Sequence, residues 1–403
     1  MTIFSLRVAS RALAATVLLL ASCFVFAQTA TPTLKSNSKI IDIRDGELLL
    51  KGVWTVDPTV PVDVYDAMRT TKPKKVTFIS DVDSISFNVE PGRTYDFTIL
   101  LNGKEACRTR ISTMTQSFKR GPGVPASGPV SIPISIKGGK LHLQGAINGS
   151  DTLNMIFDTG ADINAVYPSA MRSGVALKFD GTTTNAGTGG VTTRQTSSDN
   201  RLDVAGLRWE HEPMLFIEKQ ADPADGIVGY TVFQEKMVEI DFDRMLMTIH
   251  DTLPAKLDGF SKVPMPFAGT LTAVEVGLSD GKKRVAGHFA LDTGGGGTMN
   301  INHAFSAANS VQEIGQKVGN SRSSGVGPGV RENDVRLIPE FSVAGFTLQN
   351  VPVHVEKQSS GEAEPRGGSL NTEVLSRFNI ILDYSRNEAY FKPNSRFSAP
   401  FKY

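Results

Sequence analysis

The chain has 403 residues, of which 40% are hydrophobic and 21% are charged, and its formal net charge is +1. This composition is typical of a soluble globular protein with two or three domains of ordinary size. The nearly balanced charge gives no indication of nucleic acid or of an anionic membrane surface as a partner. The 38 glycines have no collagen-like period and suit a turn-rich β protein.

Residues 1–27 are predicted to be a signal peptide. Arg7 and Arg11 form a basic region, and the apolar stretch at 12–27 that follows is short for a membrane span. The segment Leu-Ala-Ser-Cys that ends at Cys23 resembles a bacterial lipoprotein processing site, so a lipid anchor there is an alternative to ordinary cleavage. We therefore predict export, to the periplasm or the medium, with a membrane contact only through such an anchor.

Residues 28–120 are predicted to form an accessory antiparallel β domain, because short alternating runs are separated by turn signals. No catalytic constellation occurs in it, and binding of partners or cell-wall glycan is one interpretation of its role. The Gly/Pro-rich stretch at 121–129 is predicted to be a linker. After processing, Cys107 has no partner, so the exported protein would contain no disulfide.

The remainder of the chain contains an internal repeat. The triplet Asp-Thr-Gly occurs at 158–160 and again at 292–294, each time at the end of an apolar run. Three later pairs of segments echo each other in the same order, around 204 and 343, 213 and 352, and 241 and 383. Two copies are too few for a solenoid and instead predict two lobes, 130–260 and 261–403, related by a pseudo-twofold axis.

Secondary-structure patterns in both halves favour strands over helices. Most runs are short, alternating and bounded by Gly, Asn or Asp, and helical patterns are limited to 167–171, 232–236 and 374–378. We therefore predict a mainly β fold, in which two barrel-like lobes enclose a cleft.

From about 130 to 393 the chain resembles bacterial members of the retropepsin-like and pepsin-like aspartic peptidases. The resemblance is carried by the two triplets and by an apolar-apolar-Gly segment, 225–230 in the first half and 367–371 in the second. Asn371 stands where the family has glycine, and Asn tolerates left-handed backbone better than other residues do. The resemblance implies an aspartic endopeptidase that acts on peptide or protein substrates and uses no cofactor.

Asp158 and Asp292 are the predicted catalytic residues. Two carboxylates about 3 Å apart cannot both ionise, so they share one proton, the behaviour for which aspartic proteases are the standard example. Either aspartate can hold the proton at a given step. The resemblance implies that Thr159 and Thr293 hold the two lobes in register, while Gly160 and Gly294 allow backbone amides to approach the carboxylates.

The position after each triplet predicts the working pH. Many acid-acting relatives carry Ser or Thr there, which hydrogen-bonds the carboxylate and lowers its pKa. Ala161 and Gly295 provide no hydroxyl, so the pair should titrate higher and act nearer neutral pH.

Glycine-rich segments at 186–191 and 325–330 occupy corresponding places in the two halves. They are either mobile flaps that close over an extended substrate or plain hairpin tips. The first contains no tyrosine, so the single flap tyrosine of pepsin-like enzymes is not evident.

Several other features limit the function classes. The six histidines lack metal-ligand spacing, so no metal site is predicted. Because both aspartates lie in one chain, no homodimer is needed and we expect a monomer. The alternative function is a non-catalytic peptide-binding or envelope-scaffold protein that retains the aspartic-protease fold.

Overall fold

The computed structural model describes residues 31–401, except 47, 68–72, 114–117, 188, 219–222, 235, 326, 328 and 360–365. The predicted signal peptide at 1–27 and the candidate anchor at Cys23 lie outside this part. Strands dominate, and none of the helices described is long and apolar enough to cross a membrane.

The N-terminal region folds into two four-stranded sheets, with strand orders β1-β7-β8-β4 and β3-β2-β5-β6. Its buried apolar side chains form a cluster of their own, in which Trp54, Phe78 and Phe97 make edge-to-face contacts. Cys107 lies in this cluster as a buried free thiol. The strands are β1 (Thr33–Ser36), β2 (Ile40–Asp45), β3 (Leu48–Thr55), β4 (Asp63–Asp66), β5 (Lys74–Ile79), β6 (Ser84–Val89), β7 (Thr94–Leu101) and β8 (Glu105–Ser112).

The next part of the chain forms the first lobe. Its main sheet has the order β15-β16-β19-β14-β20-β13-β12-β17-β18-β9, with β11 paired to β12. Its helices are α1 (Pro168–Arg172) and a 3₁₀ helix at Tyr230–Phe233. The strands are β9 (Lys119–Arg120), β10 (Val130–Pro133), β11 (Ser135–Lys137), β12 (Lys140–Ile147), β13 (Leu153–Asp158), β14 (Asn164–Val166), β15 (Gly181–Gly187), β16 (Gly190–Ser197), β17 (Leu202–Val204), β18 (Leu207–Trp209), β19 (Met214–Phe216), β20 (Gly226–Gly229), β21 (Met237–Asp241) and β22 (Leu246–His250).

The second lobe is built around a sheet with the order β24-β25-β26-β31-β27-β30-β29-β28. Its helices are α2 (His303–Asn309), α3 (Thr372–Leu375) and a 3₁₀ helix at Val311–Glu313. The strands are β23 (Ser261–Pro264), β24 (Phe267–Ala268), β25 (Leu271–Ser279), β26 (Arg284–Asp292), β27 (Met299–Ile301), β28 (Gln316–Ser324), β29 (Val330–Val343), β30 (Phe346–Glu356), β31 (Gly368–Asn371), β32 (Phe378–Asp383) and β33 (Glu388–Pro393).

The strands that end in the two triplets have equivalent neighbours. In the first lobe β13 pairs with β20 in parallel, β20 pairs with β14 antiparallel, and β14 pairs with β19 in parallel. In the second lobe β26, β31, β27 and β30 repeat these three pairings in the same orientations. The predicted fold class, a mainly β pair of lobes related by a pseudo-twofold axis, is confirmed.

A six-stranded sheet joins the lobes, with the order β10-β22-β21-β32-β33-β23. Its central pairing places Val238 of β21 opposite Leu382 of β32. Beside this sheet the rings of Tyr230 and Tyr384 stack at a centroid distance of 5.3 Å. Most buried apolar residues of both lobes belong to one cluster, so burial of apolar surface opposes separation of the two Asp-Thr-Gly turns.

Each predicted helical segment overlaps a short helix, although the boundaries differ by a few residues. The 3₁₀ helix at Val311–Glu313 was not predicted, and neither was α2, whose segment has no clear apolar period. A local signal is nevertheless present: the side chain of Asn302 accepts a hydrogen bond from Phe305 N at 2.8 Å and caps the helix. Ser310 ends it in a left-handed conformation, with φ of 50°.

Candidate active site

Asp158 and Asp292 are the last residues of β13 and β26. Each strand is fixed by buried apolar side chains just before the aspartate, such as Phe157 and Leu291, which are at most 1% exposed. On the adjacent strand, Asp158 pairs with Gly229 and Asp292 pairs with Asn371. Two rigid strands therefore deliver the carboxyl groups to the junction of the lobes.

The two threonines form a reciprocal hydrogen-bond network between the lobes. Thr159 Oγ1 donates to Leu291 O at 2.8 Å and accepts from Thr293 N at 3.0 Å. In return, Thr293 Oγ1 donates to Phe157 O at 2.7 Å and accepts from Thr159 N at 3.1 Å. Both threonines are at most 1% exposed. Because each hydroxyl bonds to the main chain of the opposite lobe, the network fixes the register of the two Asp-Thr-Gly turns.

The glycines that follow the threonines leave space for the carboxyl groups. A Cβ added to Gly294 would lie 2.3 Å from Asp158 Cγ, and one added to Gly160 would lie 3.0 Å from Asp292 Cγ. Gly160 N also donates to Asp158 Oδ1 at 2.7 Å. Each glycine therefore lies against the aspartate of the other lobe, at a distance that a side chain would prevent.

The two carboxyl groups hydrogen-bond to each other and titrate together. Burial is the main cause that raises both pKa values, and with the added charge of Asp292 it brings the pKa of Asp158 to about 8. Lys140 acts in the opposite direction on both groups. The site can therefore hold one proton between two carboxyl oxygens through neutral pH.

The position after the second triplet has no room for a hydroxyl group. A Cβ added to Gly295 would lie 2.6 Å from Asp292 Oδ2 and 2.9 Å from Asn371 Cγ. Asn371 thus fills space that a side chain at position 295 would otherwise use. Two departures from the family pattern, Gly295 and Asn371, are in this way physically linked.

Asn371 does not use the left-handed backbone that was considered for it. Its φ is −100° and its ψ is 174°, and Gly229 in the first lobe is also extended. Instead, its side chain is fully buried, donates to Gly296 O at 3.1 Å and accepts from Ser369 Oγ at 2.7 Å. The turn keeps its shape because these bonds satisfy the amide.

The two glycine-rich segments lie at the ends of the hairpins β15–β16 and β28–β29. Residues 188, 326 and 328 are outside the described part, but the remaining tips meet. Gly329 N donates to Gly189 O at 2.8 Å, and a Cβ added to Gly189 would lie 2.7 Å from the carbonyl of Gly327. The two hairpins, one from each lobe, thus form a bridge.

The sequence did not reveal three residues that act on this site. Lys140 precedes Leu141, whose amide donates to Thr293 O at 2.9 Å. Asn164 and Glu212 form a buried pair beside Gly229. A polar residue six positions after Asp158, among apolar neighbours, was the available signal for Asn164. In the described part of the chain, no group of three or more His, Cys, Asp or Glu side chains is arranged to hold a metal ion.

Comparisons with known proteins bear on this site. The family model described as "Aspartyl protease" matches residues 143–232, which include Asp158. Among solved structures, the crystal structure of an aspartic proteinase from Irpex lacteus is similar with a TM-score of 0.46 and 12% identity, over 67% of this chain and 99% of that chain. No curated protein matches the chain. The predicted resemblance is confirmed: residues 143–232 are aspartyl protease-like.

Proposed function

We propose that this chain is an exported aspartic endopeptidase whose Asp158 and Asp292 activate a water molecule. The observation that carries the proposal is the pair of hydrogen-bonded carboxyl groups, held in register by reciprocal threonine bonds across the lobes. This arrangement supplies an acid and a base within one site, as peptide hydrolysis requires. The corresponding turns in two lobes of one chain also support an internal duplication and a functional monomer.

The shared proton determines the order of the chemical steps. The ionised carboxylate takes a proton from water while the protonated partner donates a hydrogen bond to the scissile carbonyl oxygen. Water oxygen adds to the carbonyl carbon, and the C–N bond then breaks as a carboxyl proton passes to the leaving nitrogen. The pair ends with one proton, as it began.

The two hairpins determine how a substrate can reach the aspartates. Because the tip residues Gly189 and Gly329 are hydrogen-bonded, an extended peptide must either thread beneath them or wait for the tips to separate. Opening breaks few contacts, because glycine tips carry no side chains, and closure around a bound peptide excludes water. We assign the segments 186–191 and 325–330 the role of paired flaps.

Export also stays a proposal, with a lipid anchor at Cys23 as the alternative to ordinary cleavage, because residues 1–27 lie outside the described part of the chain. Activity nearer neutral pH also stays a proposal. It is supported by the raised pKa values of both carboxyl groups and by the absence of a hydroxyl at Ala161 and Gly295.

The test compares the purified protein with Asp158→Asn and Asp292→Asn on a library of unstructured peptides. Either substitution should reduce kcat/KM by ~10²–10⁴-fold, because each removes half of the acid-base pair. Asp151→Asn is the control, since Asp151 is an exposed carboxylate of the same lobe. Binding of peptides without cleavage by the unsubstituted protein would instead establish the alternative, a peptide-binding or scaffold protein.

A further inference from the structure

Glu212 is a fully buried carboxyl group that the proposed reaction does not use. It precedes β19, and it is 0% exposed. Its main chain is held by Asn200: Glu212 N donates to Asn200 O at 2.8 Å, and Asn200 Nδ2 donates to Glu212 O at 3.0 Å. Burying an acid costs free energy unless hydrogen bonds or charged partners offset it, so the contacts of Glu212 indicate its role.

One side-chain contact leads from Glu212 towards the catalytic strand. Asn164 Nδ2 donates to Glu212 Oε2 at 2.9 Å, and Asn164 is itself 1% exposed. The other end of the same amide, Oδ1, accepts from Gly229 N at 3.0 Å. Gly229 is the direct strand partner of Asp158. Glu212 is therefore linked to a catalytic residue through one side chain and one strand pairing.

The second lobe shows why this link is needed. Asn371 occupies the position of Gly229, and its main-chain N–H donates to the main-chain carbonyl of Thr298 at 2.8 Å. A main-chain carbonyl is fixed by the fold, whereas the Asn164 amide can rotate and has a donor end and an acceptor end. Glu212 accepts from the donor end, which leaves the acceptor end facing Gly229.

We propose that Glu212 is a positioning residue for Asp158, because it orients the Asn164 amide that holds Gly229 beside the catalytic strand. The proposal rests on the proposed peptidase function and deepens it. Glu212 touches neither substrate nor the reacting atoms.

The protonation state of Glu212 follows from its surroundings. Burial, and secondarily the charge of Asp66 on β4, raise the pKa of Glu212 to about 8, although the Asn164 bond opposes the shift. Glu212 is therefore a neutral acid at neutral pH that accepts from Asn164. Among the described residues, nothing hydrogen-bonds to Glu212 Oε1. As the pH rises from the ordinary glutamate value through about 8, the unfolded chain releases this proton before the folded protein does, so stability falls over that range.

Three variants separate the effect of the hydrogen bond to Asn164 from the effect of the volume of the Glu212 side chain. Glu212→Gln keeps an acceptor for Asn164, Glu212→Met keeps the volume but removes the acceptor, and Glu210→Gln is the control at an exposed acid nearby. We expect Glu212→Met to lower kcat roughly tenfold, the effect of one lost hydrogen bond, with KM nearly unchanged. Glu212→Gln and Glu210→Gln should stay within about twofold of the unsubstituted protein, by the same scale.

A second readout keeps this test independent of peptide cleavage. The ¹³C carboxyl resonances of Asp158 and Asp292, followed by NMR against pH, should change their titration in Glu212→Met and retain it in Glu212→Gln. If the unsubstituted protein cleaves no peptide, the proposed function fails but this titration still tests the positioning role. A Glu212→Met protein that loses only thermal stability, with kcat and titration unchanged, would overturn the inference.

Discussion

The two lobes present the same Asp-Thr-Gly turn in different surroundings. In both lobes a main-chain hydrogen bond closes the turn by joining the residue after the triplet to the residue after the neighbouring strand. Tyr230 N donates to Ala161 O at 3.1 Å, and Thr372 N donates to Gly295 O at 3.2 Å. The main-chain framework is therefore common to both lobes. The polar groups packed around it differ, so the two lobes position their aspartates with different hydrogen-bond partners.

The difference lies in which atoms satisfy the buried amide beside each aspartate. The first lobe uses the side chain of Asn164, which Glu212 holds in place. The second lobe uses the main-chain carbonyl of Thr298, while the side chain of Asn371 bonds elsewhere. We infer that the first Asp-Thr-Gly turn depends on side chains distant in sequence more than the second does.

Among the variants that compare the two lobes, the largest expected effect comes from placing a methyl group at each glycine of the triplets. In Gly294→Ala the new Cβ would lie 2.3 Å from Asp158 Cγ, which forces that carboxyl group to move. In Gly160→Ala the nearest atom, Asp292 Cγ, is 3.0 Å away and needs to shift by only a few tenths of an ångström. We expect kcat/KM to fall ~10²-fold in the first variant and much less in the second.

Gly319→Ala is the control for both, because a Cβ there has no atom within 4 Å. Thermal unfolding of all three proteins separates a displaced carboxyl group from a loss of folding. Equal losses of kcat/KM in Gly294→Ala and Gly160→Ala would contradict the asymmetry between the lobes.

The two Asp-Thr-Gly turns were predictable because their sequence pattern is local. A short triplet at the end of an apolar strand specifies both the acid and its backbone, and its repetition specifies the lobes. The roles of Thr159 and Thr293 followed from the resemblance, and their reciprocal bonds agree with it.

The supporting residues were not predictable, because their contacts depend on topology. Asn164 and Glu212 are 48 positions apart and meet only because β14 and β19 pair in parallel. Glu212 lies directly before Pro213, a sequence pattern that indicates an exposed turn, but the structure buries Glu212 completely. The extended backbone of Asn371 was likewise set by its neighbours, not by the preference of asparagine.

Substituting the residues that pair with the aspartates should have a smaller effect, which falls on stability. Gly229→Ala brings a Cβ to 2.7 Å from Ala161 O, a main-chain atom, so we expect about 1–3 kcal/mol of destabilisation. Asn371→Gly removes the bonds to Gly296 and Ser369, and we expect about 1–2 kcal/mol. Urea unfolding measures both changes. A Gly229→Ala protein as stable as the unsubstituted one would show that the first turn is less constrained than we infer.

The smallest effect, and the one that compares the aspartates directly, is the dependence of stability on pH. The pKa of Asp158 is raised to about 8 and that of Asp292 is also raised, so the folded protein retains protons that the unfolded chain releases. Stability should therefore fall as the pH rises from the ordinary aspartate value through about 8. Although burial raises both pKa values, each aspartate residue keeps some contact with solvent, so screening should reduce the change to the order of 1 kcal/mol. Thermal unfolding at several pH values should give a flatter profile for Asp158→Asn, and also for Asp292→Asn, since removal of the Asp292 charge lowers the pKa of Asp158. Unchanged slopes in both variants, with Asp151→Asn as the reference, would mean that the two carboxyl groups do not share a proton.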